Sequence, residues 1–207
     1  MNQIKSTHSF KDMWRQFKEK HPGLVEFVMF FIISNAVTIL QMILMPLLKY
    51  IFGFTALVTT QFQQFPVGQN LDGSIYYVFD YAAGAIGAGG GGGLAYFLAV
   101  EITLLIAQII NFFLQRNVTF KSNSGIVKAA VWYFIAWILI SIGASALQGL
   151  YKVPIYEFMM NTFGTISGTA VADVITMLIN SAVSFWVFFP IMKLIFKKEE
   201  GKQENTK

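Results

Sequence analysis

Apolar residues in this chain gather into four long runs, 27–48, 94–114, 129–151 and 174–192. Each is close to the roughly 20 residues that a helix needs to cross about 30 Å of hydrocarbon. The first, third and fourth runs hold no charged residue, and the second holds one, Glu101. The pattern predicts an all-α integral membrane protein with four transmembrane helices. The first run starts too late, is too long and lacks a small-residue cleavage site, so it is expected to stay as a helix rather than leave as a signal peptide.

Polar positions inside the runs recur at helical spacing. The first run carries Ser34, Thr38 and Gln41, with Asn35 beside them; the third carries Ser141, Ser145 and Gln148; the fourth carries Asn180 and Ser184, with Asp173 and Thr176 at its outer start. In the second, Glu101, Gln108, Asn111 and Gln115 fall within a sector of about 80° at about 100° per residue. Lipid satisfies no such group, so the stripes are expected to face one another or a partner subunit, as interhelical hydrogen bonds or as a substrate path. Glu101 stands apart. Counting back from Arg116 at about 1.5 Å per residue puts it about 22 Å from the basic interface, in the outer half of the hydrocarbon. An acid there costs about 2.5–3.5 kcal/mol on insertion scales and is by default functional: a proton carrier, a cation site or a contact to a polar substrate. The alternative is a neutral Glu101 that ties span two to Gln41 or Asn180.

Basic residues orient the spans. Lys5, Lys11, Arg15, Lys18 and Lys20 precede the first; Arg116, Lys121 and Lys128 lie between the second and third; Lys193, Lys197, Lys198, Lys202 and Lys207 follow the fourth. Thirteen basic residues on one side face only Lys49 and Lys152 on the other, which predicts both ends in the cytoplasm. Residues 1–23 form a cytoplasmic N-terminal segment. Within it, Phe10, Met13, Trp14 and Phe17 share a face and Lys11, Arg15 and Lys18 take the others, a basic amphipathic helix that lies on an anionic leaflet until Pro22-Gly23. The membrane domain covers 24–198, and the charged tail 199–207 reads as disordered. The external loop 50–93 is long: a polar, turn-rich middle is followed by Tyr76, Tyr77, Phe79 and Tyr81, an expected aromatic belt. Its Gly/Ala run 84–93 follows no expected strand and has no Gly-Lys-Ser/Thr ending, so it reads as a flexible or re-entrant hinge rather than a phosphate loop.

Composition narrows the chemistry. Charged residues make up 13% of the 207, about half the share in soluble domains. There is no cysteine, and both histidines, His8 and His21, lie in the N-terminal segment. No nucleophile–histidine pair, metal-ligand cluster or cofactor is therefore expected. A net charge of +4, gathered at membrane flanks, gives no reason to expect nucleic acid.

The end of span two reads Asn111-Phe112-Phe113-Leu114-Gln115-Arg116-Asn117-Val118-Thr119-Phe120. Its Asn-Phe-x-x-x-Arg-x-x-x-Phe pattern resembles the signature of the GtrA-like family, small four-span proteins linked to moving polyprenyl-phosphate-linked sugars across the membrane. Phe27 and Asn35 in span one resemble the family's opening helix. Ser184-Phe185-Trp186-Val187-Phe188 followed by Lys193 looks like a degenerate second copy, in keeping with two hairpin repeats. Departures are a serine where the second asparagine is usual, no evident glycine in the first helix and a longer external loop. The resemblance implies a membrane transporter rather than an enzyme, working in the bacterial cytoplasmic membrane toward glycosylation of cell-wall or surface polysaccharide. It gives Arg116 and Lys121 to a lipid phosphate, Asn111 to a sugar or phosphodiester oxygen, and Phe112, Phe113 and Phe120 to the isoprenoid; for Arg116 a plain topological anchor stays open. The headgroup is expected to pass along the polar stripes, including Glu101, Gln108, Gln115, Asn35, Gln41 and Asn180. Membrane lipids, glycosyltransferases and further copies of the chain are the expected partners. Two other readings compete: a proton-coupled small-molecule exporter using Glu101, and a non-transporting scaffold for a glycosyltransferase.

Overall fold

The computed structural model describes residues 10–197, so the expectation for the tail 199–207 lies outside it. A first helix, α1 (Phe10–Lys20), coincides with the amphipathic segment. His21 interrupts it, and Pro22 opens α2 (Pro22–Gly53) at a position where its missing N–H costs nothing. The remaining long helices are α3 (Gly93–Leu114), α4 (Ile126–Phe163) and α5 (Thr165–Ile195). All four are long and apolar enough to cross a membrane, which is the architecture of a multi-pass membrane protein.

The four apolar runs lie inside these helices, and α4 and α5 continue well past the runs. Lys152, Pro154, Glu157 and Asp173, expected at or beyond the ends of the spans, are helical. Hydropathy marks where a helix meets lipid, whereas the helix itself stops where the backbone must turn. Here that is Gly164, whose φ of 78° suits a residue without Cβ.

Between α2 and α3 the chain forms an antiparallel hairpin, β1 (Phe62–Gln69) and β2 (Ile75–Tyr81). The aromatic segment expected to be a belt is thus a strand. Its signal was present: Asp72-Gly73 is a turn dipeptide flanked by aromatic-rich runs. Asp72 fixes the turn by accepting from the backbone N–H (3.0 Å) and hydroxyl (2.6 Å) of Ser74, bonds that hold its carboxyl below its ordinary pKa.

Helices pair with their sequence neighbours, α2 on α3 and α4 on α5, and the hairpin bridges the pairs. On α3 it packs Phe62 and Phe79 against Phe97 (centroids 4.1 and 5.6 Å). On α4 it presses Val67, Gly68 and Tyr76 against Gly149. At the opposite end, where the described residues begin and end, the pairs meet through Phe30, Phe112, Phe120, Tyr133, Met192 and Phe196, all buried, with Phe185, Phe188 and Phe189 around them. A salt bridge from Lys193 to Glu26 (3.4 Å) joins α5 to α2 at this terminal end.

Candidate functional site

The polar stripe of α3 reaches its neighbours just inside the aromatic cluster. Tyr133 of α4, wholly buried, donates to Gln108 Oε1 (2.6 Å) and accepts from Asn111 Nδ2 (2.8 Å). Gln115, also wholly buried, shares its amide protons among Asn111 Oδ1 (3.3 Å), Ser34 Oγ (3.3 Å) and the Phe30 carbonyl (3.2 Å). Thr119 donates to Gln115 Oε1 at 2.6 Å. The result is one track, Gln108–Tyr133–Asn111–Gln115–Thr119, that ties α3 to α2 and α4. Every link is charge-neutral, so the track can lie among phenyl rings without the several kcal/mol that a buried ion costs.

Past Gln115 the α-helix loosens into a π-helical turn over Gln115–Thr119, a geometry frequent at functional sites. Arg116 lies in that turn. Its Nη2 donates to the Ser124 carbonyl (2.6 Å) and its Nη1 to Asn117 Oδ1 (3.1 Å). Its Nε is buried without a hydrogen-bond partner, and no carboxylate among the described residues meets its charge. Lys121 follows, exposed, with a φ of 46° that is uncommon for a side chain with Cβ.

The other expected site residues are dispersed. Phe120 and Phe112 face inward, packed on Phe196 at centroid distances of 5.6 Å each, and Phe113 is exposed. Asn35 is exposed and returns its amide to the Phe31 carbonyl (2.7 Å), and Thr38 does likewise to Ser34 (3.1 Å). Back-bonding of this kind satisfies a polar side chain on a lipid-facing surface, which periodicity alone does not anticipate. Gln41 is half-buried. Asn180 of α5 is half-buried, and its Oδ1 is buried without a partner.

Glu101 lies two turns beyond Gln108 toward the hairpin, half-buried, and forms no hydrogen bond or ion pair among the described residues; the tie to Gln41 or Asn180 is not made. Its charge does reach Tyr81 of β2. Burial chiefly, then the Glu101 carboxylate and then Tyr96, push the Tyr81 phenol up to about 12. A raised phenol pKa means the fold favours the neutral form. That stabilisation is complete below about pH 10 and is lost as pH rises through about 12. In a phenolate absorbance titration, the difference between wild type and Tyr81→Phe should show a group ionising near pH 12, and Glu101→Gln should move it down. A Tyr81 that ionises with the exposed tyrosines would contradict this placement.

Tyr133 is the site residue that the sequence reading missed. The available signal was a tyrosine one turn inside a span rather than at its edge, where a buried hydroxyl must find a partner. Among the described residues, no three His, Asp or Glu side chains gather into a metal site. No protein-family model, curated protein or solved structure matches the chain.

Proposed function

We propose that this protein moves a polyprenyl-phosphate-linked sugar across the bacterial cytoplasmic membrane, supplying glycosylation of a cell-wall or surface polysaccharide. In this reading both termini are cytoplasmic, the two helix pairs are diverged repeats, and the terminal end of the bundle takes the headgroup in. The observation that carries it is Arg116: a guanidinium without an acidic partner, with one buried donor unfilled, set where the polar track begins. A phosphate oxygen supplies both the missing acceptor and the missing charge. The resemblance of Asn111–Phe120 to the GtrA-like signature points to the same lipid class.

Deletion of the gene should abolish glycosyl decoration of the polymer while synthesis of the lipid-linked sugar on the cytoplasmic side continues. Undiminished decoration would end this reading. Arg116→Lys keeps the charge, and hence any anchoring role, but loses the fork. It should slow headgroup transfer at least about tenfold, in keeping with the loss of one charge-assisted bond worth about 1.5–3 kcal/mol. A simple anchor predicts no change.

One observation favours a second reading, a proton-coupled exporter of small amphipathic cations: Glu101 stands half-buried in α3 without a partner. There Glu101→Gln should abolish pH-driven efflux and Arg116→Lys should leave it intact.

A further inference from the structure

A second feature lies at the hairpin end, away from Arg116. A cavity of about 440 Å³ opens between α2, the glycine-rich segment and the start of α3. This volume falls in the range of about 300–1,000 Å³ typical of ligand sites. On α2 it is lined by Pro46, Lys49, Tyr50 and Gly53, spaced i, i+3, i+4 and i+7 and hence on one face. Ala85, Ile86 and Gly87 form the opposing lip, with Ala95 and Tyr96 beneath. Its walls are mostly aliphatic and aromatic, and Lys49 is the only charged residue among them.

Lys49 directly follows the uncharged run 27–48, so its ammonium sits at the level where the span leaves hydrocarbon for headgroups. The ammonium lies 4.9 Å from the centre of the Tyr96 ring, which orients it without neutralising it. It has no ion pair among the described residues. Beside it, Tyr50 and Phe54 are largely exposed and in edge contact with each other (4.8 Å), forming a lipid-facing rim. A half-buried, unpaired cation over an apolar cavity at the interface complements an amphiphile with an anionic head and a hydrocarbon tail.

We propose that this cavity binds an anionic phospholipid from the leaflet at the hairpin end, with its phosphate on Lys49 and the upper part of a chain between α2 and the Ala85–Gly87 lip. The site does not depend on the transport reading, because binding is measured in the absence of any sugar carrier. It also differs from Arg116 in position: the two cations serve opposite ends of the bundle.

The test is photo-crosslinking of the full chain in nanodiscs carrying either a photoactivatable phosphatidylglycerol or the matching diacylglycerol, which lacks the phosphate, followed by peptide mapping. Adducts are expected on segments 46–54 and 85–96, about tenfold more with the anionic probe, as one charge-assisted contact provides. Lys49→Gln should remove that preference. Gly87→Leu, at a position where an added Cβ meets nothing within 4 Å, should fill the cavity and reduce adducts from both probes while the protein stays folded. Adducts absent from these segments, equal for both probes, or unchanged in the two variants overturn the proposal. Full displacement by inorganic phosphate also overturns it, since a site for the ion alone has no use for the apolar walls.

Discussion

Gly93→Ala is expected to destabilise the protein by several kcal/mol, while Gly87→Ala, six residues earlier in the same glycine-rich segment, should change stability by less than about 0.5 kcal/mol. At Gly93 the backbone has a φ of 53°, and a Cβ would come within 2.5 Å of the Thr60 carbonyl oxygen, 2.6 Å of that of Val58 and 2.9 Å of that of Leu57. A left-handed backbone costs a residue with Cβ about 1–2 kcal/mol. The overlap adds about 1–3 kcal/mol if the neighbours yield, as in an overpacked core. These neighbours are backbone and hold the segment together: the Thr60 carbonyl accepts from Leu94 (2.7 Å) and that of Val58 from Gly84 (2.9 Å). Thermal unfolding in detergent would measure the contrast, and equal midpoints for the two variants would refute it. In the run 84–93, expected from composition to be a flexible or re-entrant hinge, residues 90–93 pack closely against neighbouring backbone and side chains, whereas 85–89 are exposed.

Replacing Gln115 with leucine has the next largest expected effect. Leucine nearly matches the volume but leaves Thr119 Oγ1 and Asn111 Oδ1 buried without the partner each now has. Stranded buried groups cost about 1–3 kcal/mol, more than the roughly 0.6 kcal/mol of an average interhelical hydrogen bond in a bilayer. Ser34→Ala removes only the acceptor at the edge of the track and should cost about the latter amount. The same unfolding assay distinguishes the two. Equal losses would mean that Gln115 is one hydrogen bond among many rather than the point where α2 joins the track.

The four spans and the N-terminal helix were legible because both depend on one-dimensional signals: length of apolar run for the spans, spacing of Met13, Phe17 and their basic neighbours for the helix. The alignment of Glu101, Gln108, Asn111 and Gln115 on one face of α3 was legible too, since a helix fixes angular position. What those residues touch was not. Tyr133 completes the track from α4, and no periodicity in span two points to it. Asn35 and Thr38 repeat just as regularly, yet turn back on their own helix. The hairpin went unread because Tyr76, Tyr77, Phe79 and Tyr81 suit an interfacial belt as well as a strand. Only pairing with β1 separates the two.

The pairing of neighbours bears on how the chain is assembled as it is made. Helices α2 and α3 can dock before α4 has been synthesised, because their contacts are with each other. The centre of the terminal end is different. Phe30 waits for Phe185 and Phe189, and Phe112 and Tyr133 wait for Phe196, near the far end of the last helix. Until α5 is in place, the neutral track from Gln108 to Thr119 has no aromatic seal. A chain halted before Phe185 therefore leaves that polar track without its aromatic cover, and only the last helix closes it.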